Sequence, residues 1–314
     1  MVIMTKTINL KELFDNFEYT TMQSYENMSV IGIKSNENYN NIDILPLKKG
    51  LQMGLVEIGE LENANVNTLN VTNNAITPLL ILDGEELIGA KQNRIANATY
   101  IIPPKTNMQI KVSCTESGRW NYTTNHFKYS GHFAEANLRK AKAQDVTESL
   151  KTNGIRESNQ SRVWNRISEV SNTLKVKSKT SAMREIYTNN KAKINEYLDN
   201  FKDENDTIGS IILINNKVSG IELLFNRTLY KQNHRKLIES YIPEAIEQKN
   251  EDYDNESNID VDKFINEVVT SKIEQYEPDG IGVDVRIESE DIIGSTILLE
   301  NNPINASFFR KIKT

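Results

Sequence analysis

The stretch Asn107-Met-Gln-Ile-Lys-Val-Ser-Cys114 alternates apolar and polar side chains without a break. Its even-numbered positions are apolar and end at Cys114, whereas its odd-numbered positions are polar. A period of two is typical of a β-strand that buries one face. The stretch therefore predicts a half-buried strand in which the Cys114 thiol points inward.

The residues before this stretch also predict mostly β-structure, because short apolar or β-branched runs alternate with turn signals. The run 95–102 is rich in β-branched and aromatic residues, and the run 79–82 is fully apolar. Residues 45–53 predict a short helix that ends at a glycine. We expect residues 1–125 to form a β-rich region, folded as a sandwich or barrel.

The segment 126–204 has helical periodicity, because apolar residues recur at every third or fourth position. The pattern predicts two or three helices, with a polar loop over 151–160 between them. Ser158 or Ser161 is the expected N-cap of the helix that carries Trp164. The middle of the chain is therefore predicted to be a helical segment.

The region 205–314 predicts a mixture of helices and hairpins. The apolar runs 208–214 and 218–225 flank Asn215-Asn-Lys217, which is typical of a hairpin with a short turn. The other expected elements are helices over 228–248 and 259–276, an acidic mobile loop over 251–258, a strand over 281–287, and a final hairpin from 296 to 309. The predicted fold class is α+β, and the three regions can form one integrated domain.

Composition excludes several classes of protein. With 38% hydrophobic and 25% charged residues, the 314-residue chain is neither disordered nor fibrous. A net charge of -6 argues against general nucleic-acid binding through phosphate neutralisation. The single cysteine fits a reducing compartment, and no apolar run is long enough to span a membrane. We therefore expect a cytoplasmic protein without a membrane partner and without general nucleic-acid binding, although a local basic site remains possible.

The first motif, residues 82–94, reads Leu-Asp-Gly-Glu-Glu-Leu-Ile-Gly-Ala-Lys-Gln-Asn-Arg. Two interpretations stay open, a hairpin tip with solvated charges and a ligand site. Glycines at tight turns allow close approach of a ligand, and neighbouring Arg and Lys side chains suit a phosphate. In the second interpretation the ligand-binding candidates of this motif are Asp83, Lys91, Gln92, Asn93 and Arg94.

The second motif, Cys114-Thr-Glu-Ser-Gly-Arg-Trp120, follows the alternating strand directly. Glu116 can orient Arg119, and Trp120 offers a face for a base or a sugar. The alternative is a surface ion pair beside an aromatic core residue. A nucleophilic Cys114 is disfavoured, because its parity points inward and no histidine is near it in the sequence.

A third candidate is the predicted helix over 139–150, where Lys140, Gln144 and Glu148 are spaced by four residues. A solvated polar face explains this stripe. The other explanation is a cleft wall, in which Arg139 and Lys140 face an anion, Gln144 contacts a ligand and Glu148 is an acid or base.

The catalytic candidates are four carboxylates: Glu85, Glu86, Glu116 and Glu148. Two carboxylates around one reacting atom can transfer protons or hold Mg²⁺, but spacing alone does not choose the pair. The cofactor is therefore unknown, with Mg²⁺ as the open option. His126 and His132 do not have a zinc-site spacing, and no dinucleotide-binding, P-loop, G-x-S-x-G or kinase motif is present.

The chain resembles the bacterial ADP-ribosylglycohydrolase and rhodanese-phosphatase associated protein domain family. The resemblance rests on the two motifs and on further matching segments: Val146-Thr-Glu-Ser-Leu150, Gln160 with Val163-Trp164, residues 208–225 and residues 280–309. It implies a link with ADP-ribose and NAD-derived nucleotides, without an activity that carries over residue by residue. The chain departs from the family pattern at Ile304-Asn-Ala306, where the family often has a histidine.

The leading hypothesis is a protein that binds, and in one version processes, a small phosphorylated nucleotide linked to NAD or ADP-ribose. Lys91, Arg94 and Arg119 then hold phosphate, Trp120 stacks on the base, and the motif side chains surround one cleft. The alternative is a non-catalytic interaction or nucleotide-sequestering module of a stress or phage-defence pathway, and a structural oligomer is the third option. Convergence of the polar side chains on one concave site separates these hypotheses.

Overall fold

The computed structural model describes residues 8–37, 39, 42–61, 66–249 and 260–312, which form an α+β fold as predicted. The expected acidic loop at 251–258 lies outside the described residues. No helix in the described part of the chain is long and apolar enough to cross a membrane.

Eight helices lie in the described residues: α1 (Leu10–Asp15), α2 (Leu47–Gln52), α3 (Ala136–Asn153), α4 (Gln160–Thr173), α5 (Arg184–Asn189), α6 (Lys191–Leu198), α7 (Arg227–Glu247) and α8 (Val261–Val269). The same residues contain eighteen strands: β1 (Phe17–Tyr19), β2 (Gln23–Tyr25), β3 (Met28–Ser35), β4 (Leu45–Pro46), β5 (Val56–Glu60), β6 (Thr68–Asn73), β7 (Leu79–Ile81), β8 (Glu85–Ile88), β9 (Arg94–Ala96), β10 (Tyr100–Ile102), β11 (Thr106–Cys114), β12 (Lys128–Phe133), β13 (Thr207–Ile214), β14 (Lys217–Leu224), β15 (Lys272–Tyr276), β16 (Val283–Glu288), β17 (Ile292–Leu299) and β18 (Asn302–Arg310).

Nine strands form one antiparallel sheet in the order β1-β3-β13-β14-β18-β17-β16-β15, with β2 beside β3. The β13–β14 hairpin turns at Asn215 and Asn216, which both have the positive φ that a tight hairpin turn requires. Successive side chains of a strand point to opposite faces. Ile211 accordingly packs in a core with α1 and α8, whereas Ile212 packs with α6 and α7. The large sheet therefore has a helical layer on each face.

Two smaller sheets enclose a separate core in the N-terminal half, as the sequence predicts. One has the order β12-β8-β9-β11-β6-β5 and the other the order β10-β7-β4. The first three strands of the chain do not join these smaller sheets. They belong to the large sheet, where β3 pairs with β13. The two halves of the chain thus share a sheet, and the domain limits at residues 125 and 204 stay a prediction.

The alternating stretch forms β11, as predicted. Ile110 and Val112 are buried, whereas Gln109 on the other face is exposed. Cys114 is 2% exposed, and burial raises the pKa of its thiol. The predicted inward direction of Cys114 is confirmed.

The middle segment contains four helices, α3 to α6, and not two or three. The N-cap of α4 is Asn159, whose side chain accepts a hydrogen bond from the backbone N–H of Arg162 at 3.1 Å. The prediction of Ser158 or Ser161 as the cap is wrong. The Ser158 hydroxyl lies 2.5 Å from the hydroxyl of Ser113 and is engaged there.

The helix predicted over 259–276 is too long, because α8 ends at Val269 and the chain continues as the edge strand β15. β15 pairs with β16, the strand predicted from alternation. On the polar side of β16, Asp284 accepts hydrogen bonds from Arg286 at 2.8 Å and from Arg156 at 2.9 Å, and all three side chains are buried. Alternation located the strand, but these ion pairs allow both of its faces to be buried.

Candidate functional site

A cleft of about 450 Å³ opens between the six-stranded sheet and α5. The first and second motifs meet in its wall, since Gly89 and Asn93 come from one and Glu116 and Arg119 from the other. The sequence predicts that the motif side chains surround one cleft, and of the predicted site residues Asn93, Glu116 and Arg119 line it.

Arg119 ties the two motifs together. Its guanidinium donates hydrogen bonds to Glu116 Oε2 (2.6 Å), to Asn93 Oδ1 (3.1 Å) and to the Ala90 carbonyl oxygen (2.7 Å). Asn93 Oδ1 also accepts from the backbone N–H of Gly89 at 3.1 Å. The donors of Arg119 are thus engaged before any ligand arrives, and the side chain maintains the shape of the cleft.

Gly89 is required by a close approach within the protein. Its φ is +127°, and a Cβ atom there would lie 2.3 Å from Thr124 Oγ1. No side chain fits at such a distance, and the conformation itself disfavours L-residues. Gly89 therefore lets the loop that follows the second motif pack directly on the first motif.

Glu116 is an ionised carboxylate held by its neighbours. Burial alone would raise its pKa, but the hydrogen bonds from Arg119 and Thr180 outweigh burial and hold the pKa of Glu116 below its ordinary value. The Thr180 hydroxyl donates to Glu116 Oε1 at 2.7 Å. These contacts make Glu116 an anchor for the segment that leads into α5.

Two cations line the cleft, Lys128 at the start of β12 and Arg184 at the start of α5. Within the described ranges neither forms an ion pair or donates a side-chain hydrogen bond. Glu185, a carboxylate of the same wall, accepts a hydrogen bond from the Asn189 amide at 3.1 Å. The Glu116–Arg119 pair is neutral, so the cleft has an excess of positive charge in a chain whose net charge is -6.

Glu86 lies near this cleft but is fully buried. It is on β8, two residues before Ile88, which lines the cleft. The hydroxyl of Ser130 donates to one of its oxygens and the hydroxyl of Thr115 donates to the other at 3.4 Å. The pairing of β12 with β8 is irregular opposite Glu86, a distortion that is common beside functional sites.

The environment of Glu86 favours its neutral form. Burial raises the pKa of Glu86, while the hydrogen bonds from Ser130 and Thr115 and the positive charges of His132 and Arg184 only partly offset this rise. A buried carboxyl with a raised pKa can hold a proton at neutral pH.

The other carboxylates of the first motif face the protein interior. Asp83 forms a buried ion pair with Lys142 of α3. Glu85 accepts a hydrogen bond from Lys236 of α7 at 2.7 Å and another from the Leu82 backbone N–H at 2.9 Å. Asp83 thus links the first motif to α3, and Glu85 links it to α7.

The cationic end of the first motif packs away from the cleft lining. Arg94 is 1% exposed, donates to the Val66 carbonyl oxygen at 3.1 Å and lies 3.6 Å from Glu60. Gln92 accepts a weak hydrogen bond of 3.4 Å from Arg94. The Arg94 guanidinium is therefore engaged in contacts within the protein interior and does not face the cleft.

Lys91 and Trp120 meet at the surface. The Lys91 ammonium lies 5.3 Å from the centre of the Trp120 ring and 5.1 Å from that of Tyr122. Trp120 is 53% exposed and is not a core residue. Neither aromatic residue lines the cleft, although Trp120 directly follows Arg119, which does.

The polar stripe on α3 does not reach the cleft. Lys140 is buried and donates to both carboxylate oxygens of Glu244 at 2.8 Å. Gln144 exchanges hydrogen bonds with the backbone of Ile312, and Glu148 is exposed. Neither a solvated face nor a cleft wall describes the whole stripe.

The sequence patterns do not identify Lys128, Thr180 and Arg184 as site residues. They lie outside the two motifs, and Arg184 follows a polar segment without a periodic pattern. His132 was considered only as a metal ligand, whereas its Nδ1 lies 2.7 Å from Glu239 Oε2 and its ring stacks on Tyr187. No three His, Cys, Asp or Glu side chains in the described segments come together as a metal site.

Comparison with known protein families identifies a matching family model. The model of a family described as the ARG and Rhodanese-Phosphatase-superfamily-associated Protein domain matches residues 16–309. The match includes both motifs and every residue that lines the cleft. No curated protein and no solved structure matches the chain.

Proposed function

The chain belongs to the ARG and Rhodanese-Phosphatase-superfamily-associated Protein domain family, and we propose that its cleft binds a small anionic ligand, a phosphorylated nucleotide related to NAD or ADP-ribose. The family name associates its members with ADP-ribosylglycohydrolases, which supports this ligand class. The observation that carries the proposal is the pair of cations, Lys128 and Arg184, which have no ion-pair partner among the described residues and line the cleft built by both motifs.

Phosphate recognition is assigned to these two side chains. Arg184 offers a planar fork of donors that suits two phosphate oxygens, and Lys128 adds a point charge. The hydroxyls of Thr123 and Thr180 line the same space and supply further polar contacts. A volume of about 450 Å³ lies within the range of roughly 300–1,000 Å³ that small-molecule pockets occupy.

Recognition of the base is assigned to Trp120. Its exposed ring can stack on a nucleobase of any identity, because every base has a π-face. Lys91, which lies against the same ring, keeps a positive charge next to the stacked base. Glu116, Asn93 and Arg119 support the site by holding its walls together.

Glu86 is the predicted catalytic carboxyl whose position favours processing of the ligand. Glu116 is held ionised by Arg119, Glu85 pairs with Lys236, and Glu148 lies on α3 away from the cleft. Glu86 lies on β8, the strand that contributes Ile88 to the cleft, and burial raises its pKa, which favours the protonated form that a general acid requires. Turnover therefore depends on Glu86 if the ligand is a substrate.

A non-catalytic, nucleotide-sequestering role is the second candidate. It is favoured by the engagement of both carboxylates in the cleft wall, since Glu116 and Glu185 are each hydrogen-bonded to neighbours. Incubation of the protein with ADP-ribose and NAD, followed by chromatography of the nucleotides, distinguishes the two roles. Unchanged nucleotide at saturating protein indicates sequestration, and product that disappears in Glu86→Gln indicates catalysis.

The binding proposal is tested by calorimetry with ADP-ribose, NAD and inorganic phosphate on single variants. Arg184→Ala and Lys128→Ala each remove a charged contact worth about 1.5–3 kcal/mol, which corresponds to a loss of roughly 10- to 150-fold in affinity. Matched controls are Arg235→Ala and Lys193→Ala, both at exposed positions on other helices. Equal affinity of the cleft and control variants would falsify the proposal.

A further inference from the structure

A second, narrower pocket lies on the other side of β8. Glu85 and Glu86 are consecutive, so their side chains leave the strand on opposite faces. Glu85 lines a pocket of about 20 Å³ between α7, α2 and β7. The walls are mainly apolar, with Leu47, Leu80 and Leu229 among the lining residues. The cleft proposed above uses none of these side chains.

Lys236 lines this pocket and is only 9% exposed. Its Nζ donates to Glu85 Oε1 at 2.7 Å and to the Tyr129 hydroxyl at 2.5 Å. The ammonium also lies 4.4 Å from the ring centre of Phe133. A lysine amine is therefore held in an apolar pocket beside one carboxylate and one phenol.

This environment lowers the pKa of the Lys236 amine. Burial lowers it most, the Glu85 carboxylate offsets part of that effect, and the positive charge of Lys48 adds a smaller lowering. Desolvation of a lysine in an apolar pocket is a recognised way of making its amine nucleophilic. Glu85 lies within hydrogen-bond distance and can accept the proton that the ammonium releases.

A second lysine, Lys48, lines the same pocket. Lys48 is exposed and, in the described ranges, has no ion-pair partner. It can attract the anionic group of a compound whose other end enters the pocket. The small volume admits only a small reacting group, and a carbonyl is of that size.

We propose that Lys236 forms a Schiff base with a small carbonyl compound that carries a carboxylate or phosphate, with Lys48 binding the anionic group. The ammonium first transfers one proton to Glu85. The amine nitrogen then bonds to the carbonyl carbon as the C=O π bond breaks, and the oxygen becomes a hydroxyl by taking a proton from that nitrogen. That hydroxyl leaves as water after protonation by Glu85, and a protonated imine remains. The ammonium and the carbonyl compound thus give the iminium and one water molecule, without an oxidant or reductant.

The test uses the intact wild-type chain, so it does not depend on whether a variant folds. Glyoxylate is added as a carbonyl compound with a carboxylate, the imine is trapped with borohydride, and the modified peptides are located by mass spectrometry. We expect Lys236 to be modified about tenfold faster than the exposed Lys193. Modification that follows exposure, with Lys193 ahead of Lys236, would overturn the proposal.

A second measurement examines Lys48. Lys48→Met changes an exposed side chain, and we expect it to slow modification of Lys236 by glyoxylate several-fold more than modification by the uncharged propionaldehyde, which loses only the small effect of the Lys48 charge on the pKa of Lys236. Equal slowing with both probes, or with neither, would overturn the role of Lys48. The nucleotide-binding measurements on Arg184 and Lys128 are independent, so the two sites are tested separately.

Discussion

Helix α3 and the cleft both contain several basic side chains, but the two regions differ in whether those side chains have carboxylate partners. On α3, Arg139, Lys140 and Lys142 are buried, and each one faces a carboxylate from another element. In the cleft, Lys128 and Arg184 remain without a carboxylate partner among the described residues. The comparison teaches that the partner of a basic residue, and not its place in a charged motif, decides whether it stabilises the fold or is free for a ligand.

Buried basic side chains of α3 connect the large sheet to the first motif. Arg139 pairs with Glu222 on β14, and Glu222 also accepts hydrogen bonds from Tyr241 (2.7 Å) and Ser307 (2.6 Å). Lys142 pairs with Asp83 of the first motif. Buried charges of this kind persist only when their partners satisfy them. The carboxylates of the first motif are therefore partly structural.

The largest expected effect comes from breaking the interior network. Arg139→Met leaves Glu222 buried without its cation, and we expect a loss of about 3–5 kcal/mol in the free energy of unfolding. Denaturant titration measures the loss, with Arg235→Met on the exposed face of α7 as the control. A loss below about 1 kcal/mol would contradict the claim that the buried basic residues of α3 stabilise the fold.

A smaller effect is expected at the contact between the two motifs. Gly89→Ala places a Cβ against Thr124 and imposes strain at φ +127°, which together should cost about 1–3 kcal/mol and weaken ligand binding. Gly54→Ala is the matched control, because Gly54 also has a positive φ but no atom lies within 4 Å of its added Cβ. Equal losses in the two variants would mean that close packing at Gly89 contributes nothing.

Glu86 makes stability depend on pH. Its folded-state pKa is raised by burial, so its favourable contribution is complete below the unfolded pKa and is lost as the pH rises through the folded value. Gln is a neutral residue of similar size and has no such loss. We expect Glu86→Gln to gain stability relative to the wild type as the pH rises above the ordinary glutamate pKa of 4.5, measured by denaturant unfolding at a series of pH values from there upward. A difference that is constant with pH would contradict a neutral, buried Glu86.

The smallest effect on stability is expected in the cleft itself. Arg184→Ala removes a cation without a carboxylate partner, so the free energy of unfolding should change by no more than about 0.5 kcal/mol. The same variant should lose ligand affinity, which separates binding from folding. Thermal and denaturant unfolding provide the measurement. Destabilisation as large as that expected for Arg139→Met would show that Arg184 stabilises the fold, and the contrast between the cleft and α3 would then be wrong.

The sequence by itself determined those parts of the molecule that depend on local patterns. Period-two alternation located β11 and β16, and the Asn215-Asn216 turn located the β13–β14 hairpin. The two motifs identified the family, whose model covers residues 16–309. Local patterns failed where an element depends on its neighbours. The strand β15 forms because it pairs with β16, and its own sequence predicted a helix.

Only the tertiary structure decided which charged residues pair. Asp83 and Lys142 are 59 residues apart and Arg139 and Glu222 are 83 apart, so no spacing rule connects them. The fold also brings Lys128 and Arg184 to one cleft and sends Glu85 and Glu86 to opposite faces of β8. Periodicity and turn chemistry act over a few residues, whereas the ionisation and availability of a side chain depend on groups that are distant in sequence and that only folding brings within a few ångströms.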